Sequence, residues 1–327
     1  MKIIKPTFEI LEPYGYTLGD IWKQIERASR VCYKSEDKIT DNSAPDFVNR
    51  MIKSKHYAML EHGTVYLTFT LSHDRGGKEY GRLRLMHNRY VLNPYSRVNR
   101  RVIEGEYNAD IVYVTTNYRY IIENGWLDDL EYLCAPTEWH EKRISVLFHT
   151  QIAISREFNR HRADSIAESS TRYCNYSKAK FGNEITLNLP SWVEPDAITP
   201  DAMDKAIMQN KLMELANTWG NAEVKFPKEF TALDYWLLAN TMAEYCYMGL
   251  IQQGWTAQQA RTILPLDTNT DLVHTAFVSD WMHFFKLRSH GTTGKPHPDA
   301  QALAEPLLVE FIMREYITED EYERKNT

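Results

Sequence analysis

Apolar positions recur along this chain with two periods, and each period marks a kind of element. Ile21, Ile25, Ala28 and Cys32 form one stripe at helical spacing, which predicts a helix over residues 17–33. Ser43 stands at a cap position ahead of a second helical face carrying Phe47, Val48, Met51 and Ile52. From 64 to 70 the pattern alternates, with Val65, Leu67 and Phe69 on one side, so a strand is expected there, broken afterwards by Gly76-Gly77. Residues 72–143 are the least legible: a basic run, a short strand-like stretch at 111–115 and a helix near 118–133. A strand over 144–150 and a helix from Gln151 to about Arg160 follow. The second half is mainly helical, with strong 3.6-residue periods over 201–219, 231–252 and 298–315 and shorter helices at 256–263 and 279–287. Pro190, Pro195 and Pro200 punctuate a loop, and the charged tail after Asp320 is expected to fray. No internal repeat or low-complexity linker divides the chain.

Composition narrows the classes. The 327 residues are 43% hydrophobic and 25% charged, which excludes disordered, collagen-like and coiled-coil chains. The formal charge of −6 excludes a chain that binds nucleic acid through overall basicity. No apolar run approaches the roughly 20 residues that span a bilayer, so no membrane partner is expected. The first residues lack a signal-peptide apolar core, and a cytoplasmic protein is expected. Cys32, Cys134, Cys174 and Cys246 are far apart without a CxxC pair, as reduced thiols of that compartment would be.

Candidate chemistry is unevenly distributed. Neither GxGxxG nor a Walker A loop is present; Gly294-Lys295 lacks the spacing and the following hydroxyl residue. Any phosphate must therefore be held by side chains. The stretch 75–101 carries Arg75, Lys78, Arg82, Arg84, Arg89, Arg97, Arg100 and Arg101 among Tyr80, Tyr90 and Tyr95. That mixture suits polyphosphate or single-stranded nucleic acid, but in an acidic chain a solvated or intersubunit face is the better account. His56 and His62 flank Glu61 without a third ligand or second shell, and His290 and His297 are equally unsupported, so no metal site is expected.

The densest chemistry lies at 160–173. Arg160-His161-Arg162 is followed by Asp164, Ser165, Glu168, Ser169, Ser170, Thr171 and Arg172. Guanidinium forks suit phosphate and carbonyl groups, hydroxyls complete an anion site, and Glu168 can accept from a sugar hydroxyl. Arg-His-Arg alone would pass for a solvated charged face; the whole spacing is far more specific.

That spacing resembles the signature of the flavin-dependent thymidylate synthases, RHRxxSxxExSxR. Other segments agree with the family in the same order. They are Arg27-Ala28-Ser29-Arg30-Val31, then His56 with Glu61-His62, then Ala260-Arg261 with Leu264-Pro265-Leu266, then Trp281, His283 and Phe284 with Leu287-Arg288. Ala167 replaces the family's Asn, Glu157 a Gln, and Phe277 and Ser279 an Asn-x-Arg pair.

The resemblance implies an α+β fold: a central antiparallel or mixed sheet with packed helices and a helical C-terminal half. It implies one catalytic domain over 1–327, with residues 72–143 as an insertion shared with a longer subgroup. It implies synthesis of dTMP from dUMP, with methylenetetrahydrofolate as carbon donor, NADPH as reductant and FAD as cofactor, in a homotetramer with shared sites. Arg160, His161 and Arg162 would contact the flavin, with His56 and Glu61 beside its ring and His283 near it. Glu157, Arg160, Glu168, Ser169, Ser170, Thr171 and Arg172 would bind dUMP, and Arg261 would grip its phosphate. Arg288, with His56, would carry the chemistry. Two alternatives stay open at this point: a related flavin-dependent hydroxymethylation of a pyrimidine nucleotide, and a non-catalytic nucleotide or nucleic-acid binder resting on 75–101.

Overall fold

The computed structural model describes residues 1–72, 78–103, 109–217, 227–319 and 322. Arg75, the Gly76-Gly77 break, the end of the helix expected over 201–219 and nearly all of the tail after Asp320 lie outside the described residues. Nine strands are formed among them: β1 (Lys2–Ile4), β2 (Thr7–Leu11), β3 (Thr64–Ser72), β4 (Arg97–Ile103), β5 (Ala109–Asn117), β6 (Arg143–Gln151), β7 (Ser165–Glu168), β8 (Thr186–Asn188) and β9 (Asn269–Phe277). With the helices between them they give an α+β architecture, its strands spread over three sheets. No helix among the described residues is long and apolar enough to cross a membrane. Two compact units emerge from interleaved segments: Met1–Thr7, His149–Arg156 and Ser170–Thr270 make one, and Phe8–Phe148, Glu157–Ser169 and Asp271–Thr327 the other.

The larger unit holds most of a four-stranded sheet ordered β2-β6-β9-β7, with β7 antiparallel to β9 from Ser165↔Thr275 to Glu168↔Leu272. It also holds an antiparallel sheet ordered β3-β5-β4. Val65, Leu67 and Phe69 are buried on β3, as their alternation predicts. They meet Ile21 and Ile25 of the helix Leu18–Val31, Val48 of the helix Ala44–Lys53, and Met86 and Tyr90 of the helix Lys78–Val91. The 72–143 stretch thus contributes Leu83, Met86, Tyr90, Val112, Val114, Tyr118 and Ile121 to this core. Strand β5 pairs along the whole of β3, from Thr64↔Asn117 to Ser72↔Ala109.

Four described arginines of the basic stretch pair with acids. Arg89 pairs with Asp129 at 3.5 Å, Arg97 with Asp280 at 3.1 Å and Arg100 with Asp110 at 3.3 Å, while Arg82 bonds Glu131 and Tyr132. Cations already matched to carboxylates release little on meeting phosphates; Arg84 and Arg101 of the stretch stay exposed.

Local signals explain most element ends. Thr17 caps the first helix, accepting from Asp20 N, while the Asp20 carboxylate accepts from Thr17 N at 3.1 Å. Ser43 precedes the second helix as expected but makes no cap bond; its hydroxyl donates to Glu26 at 2.7 Å instead. The helix expected over 118–133 is two pieces. Gly125, at φ 70°, ends the helix Tyr118–Asn124, and Leu127–Tyr132 is a 3-10 turn. The helix expected from Gln151 to Arg160 is confined to Ile152–Phe158.

The smaller unit is built on the helix Ala232–Gln252, capped by Thr231 and Asp234. Its Tyr247 is fully buried with Ile185, Leu187 and Ala260. The helix Lys205–Asn217 packs Met208 against Leu237 and Leu238. It begins at Lys205, later than its period predicts, because the Asp204 carboxylate accepts from Ala206 N and Ile207 N. Strand β1 pairs in parallel with β8, and the loop of Pro190, Pro195 and Pro200 stays within this unit.

Candidate active site

The signature begins where a helix stops. After Phe158 the chain turns, with His161 N donating to Phe158 O and Asp164 N to His161 O, and then enters β7. Pairing with β9 anchors that turn from below. The helix Val278–Phe285 anchors it from the side: Phe284 meets Phe158 edge to face at 4.9 Å and lies 5.1 Å from the His161 ring. Trp281 and Phe284 face the core, and His283 faces outward. The next five residues, Lys286–His290, form a π-helical turn that stops at Gly291 in the left-handed region (φ 71°). Such wide turns recur at functional sites. Here the turn carries Arg288.

Between these segments opens a cleft of about 760 Å3. Glu157, Arg160, His161, Arg162, His283 and Arg288 all line it, six sequence-predicted residues in one place. Arg288 is held firmly: its terminal nitrogens donate to the Glu157 carboxylate and, at 2.6 Å, to the Glu157 carbonyl, and its Nε donates to His161 Nε2 at 3.4 Å. A surface salt bridge was the plain alternative for Arg288, but only 13% of its side chain is exposed. Burial, reinforced by His274, pushes the His161 pKa down to about 4. At neutral pH its imidazole is therefore uncharged, as an acceptor for Arg288 must be.

The acids of the lining are all engaged. Glu157 pairs with Arg288, Asp280 with Arg97, and Asp164 accepts from His274 Nε2 at 2.6 Å. His274 is itself fully buried, 4.5 Å from the Trp281 ring. Arg160, Arg162 and Lys295 are exposed and have no ion-pair partner among the described residues. The cleft therefore has cations to spare and suits a ligand carrying several negative charges. Its volume is in the ordinary range for cofactor sites, roughly 300–1,000 Å3. On both counts the residues fit a flavin dinucleotide, whose diphosphate needs side-chain cations where no glycine-rich cradle exists.

The rest of the predicted residues fall elsewhere. Glu168 accepts from Asn159 Nδ2 at 3.2 Å. Ser169 continues the β7–β9 ladder, its N donating to Asp271 O and its hydroxyl accepting from Asp271 N, both at 2.8 Å. In the smaller unit Ser170, Thr171, Arg172 and Arg261 gather round one capped turn: Arg261 donates to Thr171 at 3.2 Å and Arg172 to Gln258 at 3.0 Å. Both guanidiniums are exposed. The Ser170 hydroxyl accepts from Arg172 N at 3.4 Å, with no base beside it among the described residues, and Cys174 is buried.

His56 and Glu61 do not line the cleft. The Glu61 carboxylate accepts from Arg119 at 2.5 Å, an arginine from the stretch that sequence reading left unassigned. Phe277, in place of the family's Asn, is buried beneath the Arg97 guanidinium at 4.3 Å, and Ser279 N donates to Glu141.

Sequence reading missed Asp164, His274, Asp280 and Lys295. Asp164 sits at an unspecified position of the signature, and a lone His in a strand reads as core. Lys295 was set aside with the failed phosphate loop.

The model of a family described as thymidylate synthase complementing protein matches residues 140–313, more than half of the chain. Among solved structures, a UMP/dUMP methylase PolB from Streptomyces cacaoi bound with 5-Br dUMP shares 15% identity over 96% of this chain and 93% of that one, with a TM-score of 0.39. The same enzyme bound with 5-Br UMP shares 14% identity over 96% and 92%, with a TM-score of 0.37. Likeness that slight transfers no ligand. No curated relative matches the chain.

Proposed function

The chain belongs to the family of thymidylate synthase complementing proteins, the flavin-dependent thymidylate synthases, and from that premise we propose that it makes dTMP from dUMP. Methylenetetrahydrofolate is the carbon donor, NADPH the reductant and FAD the cofactor, and residues 1–327 work as one catalytic domain. The observation that carries this reading is the convergence of Glu157, Arg160, His161, Arg162, His283 and Arg288 on one cleft with surplus positive charge.

FAD, when bound, supplies the hydride that turns a transferred methylene into a methyl, so no reactive cysteine is required. Arg160 and Arg162 would hold its diphosphate, and His161 and His283 would contact the flavin. Glu168, Ser170, Thr171 and Arg172 take the nucleotide, and Arg261 takes its phosphate. Arg288 stabilises the negative charge that develops on the uracil as it reacts at C5. Its guanidinium has donors and no acceptor, so it acts as a fixed cation and not as a general base. A fixed cation of this kind is worth on the order of 2.7–4 kcal/mol of barrier.

His56 and Glu61, which stand apart from this cleft, serve a site on a neighbouring subunit of a homotetramer. Apolar side chains exposed on the helix Ala232–Gln252, Tyr245 at 78% and Met242 at 37%, support such an assembly.

The test is product mass. Protein is incubated with dUMP, methylenetetrahydrofolate, FAD and NADPH, omitting each in turn. The expected product is dTMP, dependent on every component. Arg288→Ala is expected to retain FAD yet form dTMP at least roughly tenfold slower. A hydroxymethyl product would replace the reading with the sister chemistry. No product, together with salt-sensitive DNA binding, would replace it with a binding protein.

A further inference from the structure

Glu157 holds Arg288 from two sides, through its carboxylate and through its own carbonyl oxygen. A guanidinium has five N–H groups. Glu157 engages one on each terminal nitrogen, and His161 Nε2 takes the one on Nε. Two N–H groups remain, one on each terminal nitrogen, for a ligand in the cleft that Arg288 lines. An arginine side chain is otherwise free to turn about several bonds, and a pre-set fork loses less freedom when it binds. The two ends of this clamp stand on fixed backbone: Glu157 on the last turn of the helix Ile152–Phe158, Arg288 on the π turn.

The carboxylate also offsets the charge it positions. A matched guanidinium is poorly suited to a phosphate, for which it would have to give up its partner. It still serves a neutral carbonyl edge through its two remaining donors. The unmatched Arg160, Arg162 and Lys295 are left to meet the phosphates.

We propose that Glu157 is the positioning residue of Arg288, fixing its guanidinium so that the two remaining N–H groups select a neutral, planar carbonyl edge. This rests on the reading of Arg288 as the group that meets the pyrimidine. Glu157 itself need not touch the substrate.

Two readouts test it on Glu157→Ala and Glu157→Gln. The first is the rate at which phenylglyoxal modifies Arg288, followed by peptide mass in the protein without nucleotide, with Arg160 and Arg162 as internal references. The second is kcat and KM for dUMP. Glu157→Ala is expected to speed modification of Arg288 roughly fivefold and lower kcat roughly tenfold, leaving KM within about threefold. Glu157→Gln keeps an acceptor for Arg288, so it is expected to restore slow modification and most of kcat. Unchanged modification in Glu157→Ala overturns the proposal, as does a wild-type kcat. A Gln variant that protects Arg288 but stays slow overturns it too, since charge and not position would then matter. If the wild-type protein makes no dTMP, the proposed function fails, and the modification rates still decide whether Glu157 clamps Arg288.

Discussion

A histidine sealed in a protein interior is a proton acceptor that folding has disarmed. Burial pushes the His62 pKa down to about 3 and that of His161 to about 4. In the unfolded chain both would take a proton near the ordinary value of about 6.5. The unfolded state therefore binds more protons between those limits. The stability each histidine contributes is complete above about pH 6.5 and is lost as pH falls, toward 4 for His161 and toward 3 for His62. Each steepens the loss by up to about 1.4 kcal/mol per pH unit. Denaturant unfolding between pH 6 and 4.5 is expected to show a shallower slope in His62→Gln, by about one proton; an equal slope would mean that His62 titrates as though exposed. At this scale sequence was informative wherever spacing, and not residue type, carried the signal. The signature gave Arg160, His161 and Arg162, the position of the family's Gln before it gave Glu157, and the WxHFxxLR-like segment gave His283 and Arg288. The Asp164–His274 bond was illegible because its partners lie in different strands' neighbourhoods, brought together only when β7 pairs with β9.

Among the elements, the π turn Lys286–His290 depends most on a single residue beyond it. Gly291 sits at φ 71°, and a Cβ there would come within 2.5 Å of the Gly294 carbonyl oxygen. Gly291→Ala is expected to cost about 1–3 kcal/mol and to disturb the loop through Lys295 that lines the cleft. Thermal melting and flavin affinity would both fall; a variant matching wild type in both would show that the loop relaxes freely. Element boundaries were legible where a cap stood at the right offset, as with Thr17 and with Thr231 before Ala232–Gln252. They were misread where one residue chose between two local bonds. Gly125 ends the helix expected to run on to 133, and Ser43 turned from its helix to Glu26. Residues 72–143 resisted reading because their described part is split among two helices, two strands and a 3-10 turn, and the mixed charged and apolar positions of Lys78–Val91 blur its stripe.

The whole molecule presents apolar side chains that one copy leaves uncovered. Tyr245 and Met242 lie three residues apart on one helical face. If that face joins subunits, sedimentation should show a tetramer for the native chain and smaller species for Tyr245→Asp at the same concentration. A monomer with full activity would contradict shared sites. Connectivity adds a different kind of constraint. The chain passes from one compact unit to the other after Thr7, Phe148, Arg156, Ser169 and Thr270. Neither unit is a continuous stretch that could be cut out, traded between genes or expressed alone. A nick anywhere between Phe8 and Thr270 would leave two fragments that each hold parts of both, so neither fragment would carry one unit whole.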